Sequence, residues 1–408
     1  MKKYALLLIV LTLVTCLLWL VGCEKKFIAT DIADDYEELT SDELEFTVTE
    51  KGVIINGLKS DDVTDVIIPQ KIGDIAVVEI ADGAFQGNTA IKKLSIPNSV
   101  EKIGYGILSE CGHLAELSLP FTGEKHRTEK ELSDRPFGYI FGEKEYAGGE
   151  ATMQFYHDNS DDEVEMVYNC IPVSLKKVTI SGKDDTHIPY GAFYNCENIE
   201  EITLGKDIKS IGAFAFSGVV GKITWDNPTI TEIGEHAFED YKGTSLSIPE
   251  TVTEIKAKGY SACVYVKSFV IPDSVTAIGE YAFSYNYDLE SVNFGKSVKT
   301  LGEENFYFCY NLTAVTLNDG LTTIDDGAFE SCRALTAIEI PKSVTRINAN
   351  AFKNCAKLKS ALFRDANGWR CYNTATSGNG ISASKLSDKT TAATYLTQTY
   401  LGYIWQKA

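Results

Sequence analysis

The sequence predicts a β-rich solenoid of about ten repeats of about 23 residues, with one long insertion and a C-terminal cap. Three observations predict this fold. An Ala-Phe pair recurs at a nearly constant spacing, the stretches around it alternate apolar and polar residues, and the composition changes at both ends of the chain. A large core is possible, because 44% of the 408 residues are hydrophobic.

The first element, residues 1–22, has the layout of a secretory signal peptide: Lys2 and Lys3 are followed by an apolar run. A transmembrane anchor is the alternative, since about twenty apolar residues can span a bilayer. The sequence Leu20-Val21-Gly22-Cys23 resembles the bacterial lipobox, which implies a lipid on Cys23. Cys16 follows Thr15, a poorer cleavage residue. We therefore expect attachment to the extracytoplasmic face of a bacterial membrane, with acyl chains as the anchor.

The second element, residues 23–50, is rich in Asp and Glu and shows little apolar periodicity. Such a composition is typical of an extended, solvated segment. We expect this segment to act as an acidic tether between the membrane and the folded part of the protein.

The third element, residues 51–363, contains the repeats. With Tyr260 and Phe306 counted at the phenylalanine position, successive positions from Phe193 onward are 22 or 23 residues apart, and Leu108 follows Phe85 by 23. A fixed period of this length is the signature of a solenoid, in which neighbouring units bury each other's apolar faces. The complete Ala-Phe pairs end at Phe85, Phe193, Phe216, Phe238, Phe283, Phe329 and Phe352.

Each repeat contains two short stretches that favour β-strands. Ile338-Glu339-Ile340 alternates with period two and ends at Pro341, which has no N–H to donate to a ladder. The second stretch, residues 275–279, is rich in β-branched residues and ends at a glycine. Ordering about 23 residues costs about 35 kcal/mol, whereas eight buried apolar side chains return only about 12 to 24 kcal/mol. One unit cannot fold alone, so the units must stack.

The unit resembles the BspA-like leucine-rich repeat, whose pattern is L-x-x-I-x-I-P-x-S-V-x-x-I-G-x-x-A-F-x-x-C. The resemblance covers residues 51–363 and is closest between 266 and 356. It implies a curved leucine-rich-repeat solenoid on a surface lipoprotein, with a role in adhesion to host proteins or to other cells. It implies no catalytic residues and no particular ligand.

The first β-stretch of each repeat also predicts a row of outward side chains, because alternate residues of a strand face opposite sides. The row is small and mostly uncharged in an acidic protein, which favours a flat binding surface. The alternative is that Ser and Thr merely suit strands. The candidate binding residues in this row are Thr203, Thr224, Asn293, Thr316 and Glu339.

Six cysteines share one position, three residues after the phenylalanine position. An exported protein with ten cysteines would ordinarily suggest disulfides or a metal site. A repeated structural position favours instead a ladder of buried thiols, because cysteine is small and easily buried. Cys170 and Cys371 lie outside the ladder, and their pairing stays open. The ladder consists of Cys111, Cys196, Cys263, Cys309, Cys332 and Cys355.

An insertion at about 121–172 interrupts the repeats, since 85 residues separate Leu108 from Phe193, one repeat plus about 62. Long irregular segments commonly carry function, so its aromatic residues are candidate binding residues. The alternative is that they pack the insertion onto the solenoid. A calcium site in the acidic run between Asp158 and Glu165 is a further alternative, although the EF-hand spacing is missing. The aromatic candidates are Phe137, Tyr139, Phe141 and Tyr146.

The last element, residues 364–408, loses the repeat and becomes rich in Ser and Thr. We expect it to cap the final apolar face, as solenoids require. Carbohydrate stacking on Trp369 and Trp405 is the alternative.

The charge and the motifs restrict the function. Without residues 1–22 the chain carries 36 basic and 57 acidic residues, which argues against a nucleic-acid partner. No catalytic motif, metal-ligand spacing or cofactor motif occurs. We therefore expect a non-catalytic adhesion or interaction scaffold whose partner is a protein or glycan on a host or neighbouring cell. The alternatives are a glycan-binding lipoprotein and an enzyme with a site in the insertion.

Overall fold

The computed structural model describes residues 38–126, 135–157, 164–373 and 379–407. The predicted signal peptide, Cys23 and much of the predicted tether lie outside these residues. So does the acidic run, apart from Glu165.

The described residues form short strands joined by tight turns, with few helices. In the first half of the chain the strands are β1 (Leu44–Val48), β2 (Val53–Leu58), β3 (Asp65–Ile67), β4 (Lys71–Ile72), β5 (Ile75–Ile80), β6 (Lys93–Ser95), β7 (Lys102–Ile103), β8 (Glu116–Leu119), β9 (Gly149–His157), β10 (Val164–Pro172), β11 (Lys177–Ile180), β12 (Thr186–Ile188), β13 (Glu201–Leu204) and β14 (Ile208–Ile211).

The second half continues this pattern and ends in short helices. Its strands are β15 (Lys222–Trp225), β16 (Glu232–Ile233), β17 (Glu254–Ile255), β18 (Ser268–Ile271), β19 (Ala277–Ile278), β20 (Ser291–Phe294), β21 (Thr300–Leu301), β22 (Ala314–Thr316), β23 (Thr323–Ile324), β24 (Ala337–Ile340), β25 (Arg346–Ile347), β26 (Ser360–Phe363), β27 (Trp369–Tyr372), β28 (Asn379–Gly380) and β29 (Ile404–Lys407). The helices are a 3₁₀ helix (Phe137–Ile140), α1 (Ala383–Ser387), α2 (Lys389–Thr394) and a π-helix (Tyr395–Thr399).

The first strand of each turn of the solenoid joins a parallel front sheet, which runs in three segments. The first has the order β15-β13-β11-β8-β6-β3, the second is β18-β20-β22, and the third is β24-β26. Equivalent residues of successive repeats lie opposite each other, so Leu94 faces Leu117 and Val178 faces Ile202. These apolar residues are buried, as the alternation predicts.

The second strand of each turn joins a parallel back sheet. Its central segment has the order β12-β14-β16-β17-β19, and β21-β23-β25 continue the same repeat position. Most of these strands are very short, and in several turns the chain bends sharply at a glycine that follows the strand. Gly279, for example, lies so close to the preceding turn that an added Cβ would sit 2.4 Å from the backbone nitrogen of Ala257.

A third set of hydrogen bonds joins the turns at the corner, defined here as the phenylalanine position and the two residues on either side. Within one corner, the N–H groups of Tyr281, Phe283 and Tyr285 donate to carbonyls of the next turn at 2.7 to 3.0 Å. Tyr281 and Tyr285 have φ of 57° and 60°. These left-handed residues direct alternate N–H groups toward the neighbouring repeat. The corners of successive repeats are therefore hydrogen-bonded to each other without forming a regular strand.

The phenylalanine position forms a column of stacked rings through the core. Ring centroids of successive members are 4.7 to 5.5 Å apart from Phe137 to Phe352. Every ring in this series is buried, and burying one phenylalanine side chain contributes about 1.5–3 kcal/mol. The stacking that the repeat requires is therefore achieved chiefly through this column.

Each end of the repeat stack is covered by antiparallel strands. At the N-terminal end β1 pairs with β2, and Leu39 and Leu44 are buried. The predicted tether extends to residue 50, whereas β1 already belongs to the fold; acidic neighbours conceal its apolar alternation. At the C-terminal end β29 pairs with β25 and β27, and Trp369 and Trp405 are buried against Phe363. Buried indole rings offer no face for a sugar to stack on.

The predicted fold class is confirmed. The solenoid has about 13 turns, more than the ten repeats counted from the phenylalanine position. Additional turns occur where strands stack without an Ala-Phe pair, as at β2 and β26.

Candidate binding surfaces

The predicted outward row is present on the front sheet. Thr203 lies opposite Thr224, and Asn293 lies opposite Thr316 in the next segment. Thr203 and Thr224 are half-buried, whereas Asn293, Thr316 and Glu339 are exposed. Glu339 is paired with Arg364 of the following turn. The row is thus a flat, mostly neutral surface.

The row is interrupted between β15 and β18. Residues 244–248 continue the buried alternation with Leu246 and Ile248 but do not form a strand. The Trp225 indole N–H donates to the Ser247 hydroxyl across the gap at 3.0 Å. The interruption leaves an open cleft of about 410 Å³, with Val270 exposed at its rim. The predicted continuous face is therefore broken at this point.

The aromatic residues of the insertion pack against the solenoid. Phe137 and Phe141 are buried, and the Phe137 ring lies 4.7 Å from Phe193. Tyr139 is half-buried with its ring 5.4 Å from Tyr105. Burial is also the main reason that the pKa of Tyr146 is raised. Phe137 and Phe141 are therefore core residues, and their rings do not face a partner.

The first part of the insertion forms one complete turn of the solenoid. The Phe137 N–H donates to the Ala192 carbonyl, and the Leu108 N–H donates to the Ile140 carbonyl, as corner residues do elsewhere. Glu116 pairs with Lys93 one repeat before it, but its partner on the other side is Lys177, which lies far later in the chain. About one repeat length of the expected insertion is therefore part of the solenoid, and the truly extra segment is shorter by that amount. The repeat pattern does not reveal this turn, because Pro136 stands where the complete Ala-Phe copies have alanine and the spacing is irregular.

The remainder of the insertion is the antiparallel hairpin of β9 and β10. Gln154 fastens it to the corner, since this fully buried amide accepts a hydrogen bond from the Gly138 N–H at 2.8 Å and donates to the Ala192 carbonyl at 3.2 Å. Asn169 donates to the same amide oxygen at 3.3 Å. A buried amide with satisfied partners fixes geometry, because any displacement would leave polar groups unpaired.

One strand of the hairpin carries an exposed apolar face. Val164, Met166 and Tyr168 alternate along β10, and the exposed fractions of the three residues are 46%, 55% and 52%. Val173 follows with 42%. Isolated exposed apolar residues are common, but three on one face of a two-stranded hairpin form a contiguous patch. The signal in the sequence is the apolar-rich stretch Val164-Glu-Met-Val-Tyr168, whose residues were not among the predicted candidates.

A family model described as "BspA type Leucine rich repeat region (6 copies)" matches residues 58–129, 165–258, 186–303 and 231–359. Together the matches cover more than half of the chain. The chain belongs to the BspA-type leucine-rich repeat family.

Several solved structures are similar to this BspA-type chain. A leucine-rich repeat protein from Bacteroides ovatus is 22% identical over 80% of this chain and 88% of that chain, with a TM-score of 0.39. A leucine rich cell surface protein from Faecalibacterium prausnitzii is 20% identical over 81% and 95%, with a TM-score of 0.29. The pneumococcal vaccine antigen PcpA is 14% identical over 81% and 82%, with a TM-score of 0.30. No curated protein matches the chain.

The cysteine position of this BspA-type repeat forms the predicted column of free, buried thiols. The thiols of Cys309 and Cys332 each donate to the carbonyl of the phenylalanine position in the preceding turn, at 3.3 and 3.2 Å. Asn286 takes over this role with its amide, at 3.0 Å from the Tyr260 carbonyl. In these turns the position holds a small hydrogen-bond donor, whereas Val219 and Tyr241 occupy it in two others. Burial raises the pKa of Cys355 to about 12. A raised pKa keeps the thiol protonated and unreactive.

The same BspA-type repeat displays aromatic residues on the outer side of two consecutive turns, at the corner and just after it. This aromatic corner consists of Tyr281, Tyr285, Tyr287, Tyr307, Phe308 and Tyr310. Three of these, Tyr281, Tyr285 and Phe308, occupy left-handed positions that glycine fills in other turns. The sequence signal was the pair of stretches Tyr281-Ala-Phe-Ser-Tyr285-Asn-Tyr287 and Phe306-Tyr-Phe-Cys-Tyr310, whose aromatic residues are easily taken for core.

Within the described ranges, no group of three or more His, Cys, Asp or Glu side chains is placed to hold a metal ion. The histidines that the structure describes serve local contacts. His126 bonds to the Lys183 carbonyl at 2.9 Å, and His236 bonds to Glu239 at 2.7 Å. Glu165, the described member of the acidic run, accepts from the Tyr156 hydroxyl at 2.6 Å.

Proposed function

We propose that this BspA-type protein is a non-catalytic scaffold on the bacterial surface and that the hairpin of the insertion is its principal contact with a partner protein. The observation that carries the proposal is the apolar face of Val164, Met166 and Tyr168, held in place by the buried Gln154.

Rigid presentation favours binding, because a partner then loses less free energy in ordering the surface that it contacts. Tyr168 provides an aromatic side chain of the kind that dominates binding hot spots. Apart from the aromatic corner, the repeats expose mostly small or charged side chains, which distinguish one molecule poorly from another. The hairpin is therefore the surface that supplies specificity.

The surface location rests on the N-terminal sequence, with Cys23 as the lipid-bearing residue. No helix among the described residues is long and apolar enough to cross a membrane. Cys23→Ala is expected to abolish incorporation of labelled fatty acid and to release the protein from the membrane fraction or leave it uncleaved. Labelling that persists in Cys23→Ala, or that is lost instead in Cys16→Ala, would contradict this assignment.

The role of the hairpin is tested with the triple variant Val164→Thr, Met166→Thr, Tyr168→Thr. The matched control is Val220→Thr, Val270→Thr, Tyr265→Thr, which removes comparable exposed apolar area from the repeats. Both variants are immobilised beside the wild type and exposed to surface extracts of bacterial and epithelial cells, before and after protease treatment of the extracts.

We expect the wild type and the control to retain the same protease-sensitive species and the hairpin variant to lose it. Equal retention by all three proteins would remove the hairpin from the proposal. Retention that survives protease but is abolished by periodate would replace the protein partner with a glycan. If the wild type retains nothing beyond blank resin, the scaffold function itself is contradicted.

A further inference from the structure

The aromatic corner is a second surface, separate from the hairpin. Its rings contact one another across two turns: Tyr285 lies 5.5 Å from Tyr307 and 5.6 Å from Phe308, measured between ring centroids. Tyr287 stacks on Tyr310 at 5.2 Å with an interplanar angle of 11°. Tyr287 is 40% exposed, and the other members are half-buried. The corner therefore presents several partly open ring faces and edges.

Two basic side chains of the protein already occupy ring faces at the margins of this cluster. The guanidinium carbon of Arg333 lies 4.5 Å from the Tyr310 ring centroid, and Lys258 Nζ lies 6.0 Å from that of Tyr281. Tyr287, Tyr310 and Arg333 hold the same position in three consecutive turns. The guanidinium thus continues the stack that the two rings begin, as expected for cation–π attraction.

The corner is also rich in negative charge. Glu280, Glu303 and Glu304 lie within or beside it, and Glu330 and Asp326 follow in the next turn. Burial, and then the negative charge of Glu330, raise the pKa of Glu304. Among these carboxylates Glu330 has an ion-pair partner, Lys353 at 2.8 Å. A cation approaching the rings therefore meets an attractive potential as well as electron-rich faces.

The backbone at three of the aromatic residues is left-handed, as it is at the equivalent Lys258 and Ser331 of other turns. Tyr281, Tyr285 and Phe308 adopt φ between 57° and 60°. A left-handed conformation costs a residue with a side chain roughly 1–2 kcal/mol, and bulky residues are rarely found in it. Glycine fills the position equivalent to Tyr281 at Gly327.

We propose that the aromatic corner binds arginine side chains of a basic segment in a partner protein. Arginine fits better than lysine, because its planar guanidinium stacks on an aromatic ring and is weakly hydrated, as the contact of Arg333 with Tyr310 illustrates. The hairpin and the corner would then contact a partner through different chemistry, one apolar and one cationic.

The test uses the full chain and a fluorescently labelled octapeptide of alternating Arg and Ser, measured by anisotropy at low and physiological salt. The same peptide with citrulline in place of arginine keeps the shape and removes the charge. The variant Tyr287→Leu, Tyr310→Leu removes two rings without changing the net charge. Tyr168→Leu on the hairpin is the matched control, since Tyr168 is similarly exposed.

The double leucine variant is expected to bind the arginine peptide five- to tenfold more weakly than the wild type, whereas Tyr168→Leu binds it unchanged and the citrulline peptide binds poorly to all. Tyr287→Phe, Tyr310→Phe keeps the rings and is expected to bind like the wild type, which separates loss of rings from loss of folding. Urea midpoints are measured for every variant.

Three outcomes would overturn the proposal. Equal affinity of the wild type and the double leucine variant would mean general attraction to an acidic surface. Equal affinity for the arginine and citrulline peptides would exclude cation–π binding. Loss of binding in the phenylalanine variant, or competition by neutral cellohexaose, would assign the corner to hydroxyl-mediated glycan recognition. None of these outcomes depends on the hairpin, so the two proposals fail separately.

Discussion

The regular stretch from 266 to 356 and the insertion at 121–172 solve the same stacking problem with different lengths of chain. In the regular stretch each turn takes a single repeat length, and successive rings lie 5.4 to 5.5 Å apart. In the insertion one turn takes more than twice that length of chain, yet Phe137 still stacks in the column and still forms a corner hydrogen bond.

The comparison of the two regions shows which parts of a turn are retained when its length changes. The front strand, the ring and the corner hydrogen bonds recur in both regions, while the segment between the corner and the next front strand is much longer in the insertion. Loop length costs little, about 0.6 kcal/mol for each doubling. An extra hairpin can therefore be added at this point without disturbing the stack, provided that its root is fastened to the corner.

The largest expected change in stability comes from removing a ring of the column in either region. Phe306→Ala in the regular stretch should lower the free energy of unfolding by about 3–5 kcal/mol, through lost burial and a cavity. Phe137→Ala should have a similar effect, because Phe137 is equally buried. Urea denaturation followed by circular dichroism measures both, with exposed Tyr287→Ala as the control. A loss below about 1 kcal/mol for Phe137→Ala would mean that the insertion is not an integral turn.

The next effect concerns the root of the hairpin. Gln154→Leu keeps the volume but leaves the Gly138 N–H and the Ala192 carbonyl without this partner, which costs about 1–3 kcal/mol. Hydrogen exchange should accelerate in residues 149–157 and 164–172 and stay slow in the repeats after 266. Ser247→Ala, in the gap between β15 and β18, serves as the control. Uniform acceleration along the whole chain would show that the hairpin and the repeats open together.

Much of the fold could be predicted from the sequence, because a constant repeat period fixes register, buried alternation and the outward row at once. The cysteine column was predicted too, although for size alone. The contacts of Cys309 and Asn286 show that the side chain at this position also donates a hydrogen bond where it can. That contact depends on a carbonyl in the preceding turn, which no local pattern reveals.

The candidate surfaces were harder to predict. Phe137 and Phe141 were predicted as binding residues because they are aromatic and lie in an irregular segment. The irregular spacing does not show that they complete a turn of the core. The corner residues Tyr285 and Phe308 escaped notice for the opposite reason. They stand in a regular repeat beside a true core residue, and only the left-handed backbone turns their side chains outward.

A smaller effect is the pH dependence of stability that a buried thiol of the cysteine column causes. The pKa of Cys355 is raised to about 12 by burial, whereas an unfolded thiol has a pKa of about 8.5. The contribution of the protonated thiol is therefore complete below about pH 8.5 and is lost as pH rises toward the folded value. Between pH 7 and 9.5 the free energy of unfolding of the wild type should fall by about 1 kcal/mol more than that of Cys355→Ala.

Urea midpoints at the two pH values measure this difference, and the native thiols should react with a bulky reagent only after unfolding. A disulfide between any two of Cys309, Cys332 and Cys355, or the same pH dependence in Cys355→Ala, would contradict a buried reduced column.

The smallest expected effect contrasts two buried polar groups. Gln154 in the insertion has its hydrogen bonds, but the hydroxyl of Tyr260 in the ring column has no partner among the described residues. Burial of an unpaired hydroxyl is unfavourable, so Tyr260→Phe should raise the free energy of unfolding by about 1 kcal/mol. The phenylalanine ring keeps the stacking with Phe238 and Phe283, at centroid distances of 5.0 and 5.5 Å. Phe283→Tyr is the reciprocal control and should lower stability. A loss of stability in Tyr260→Phe would mean that the hydroxyl is satisfied in solution, and the two regions would then treat buried polar groups alike.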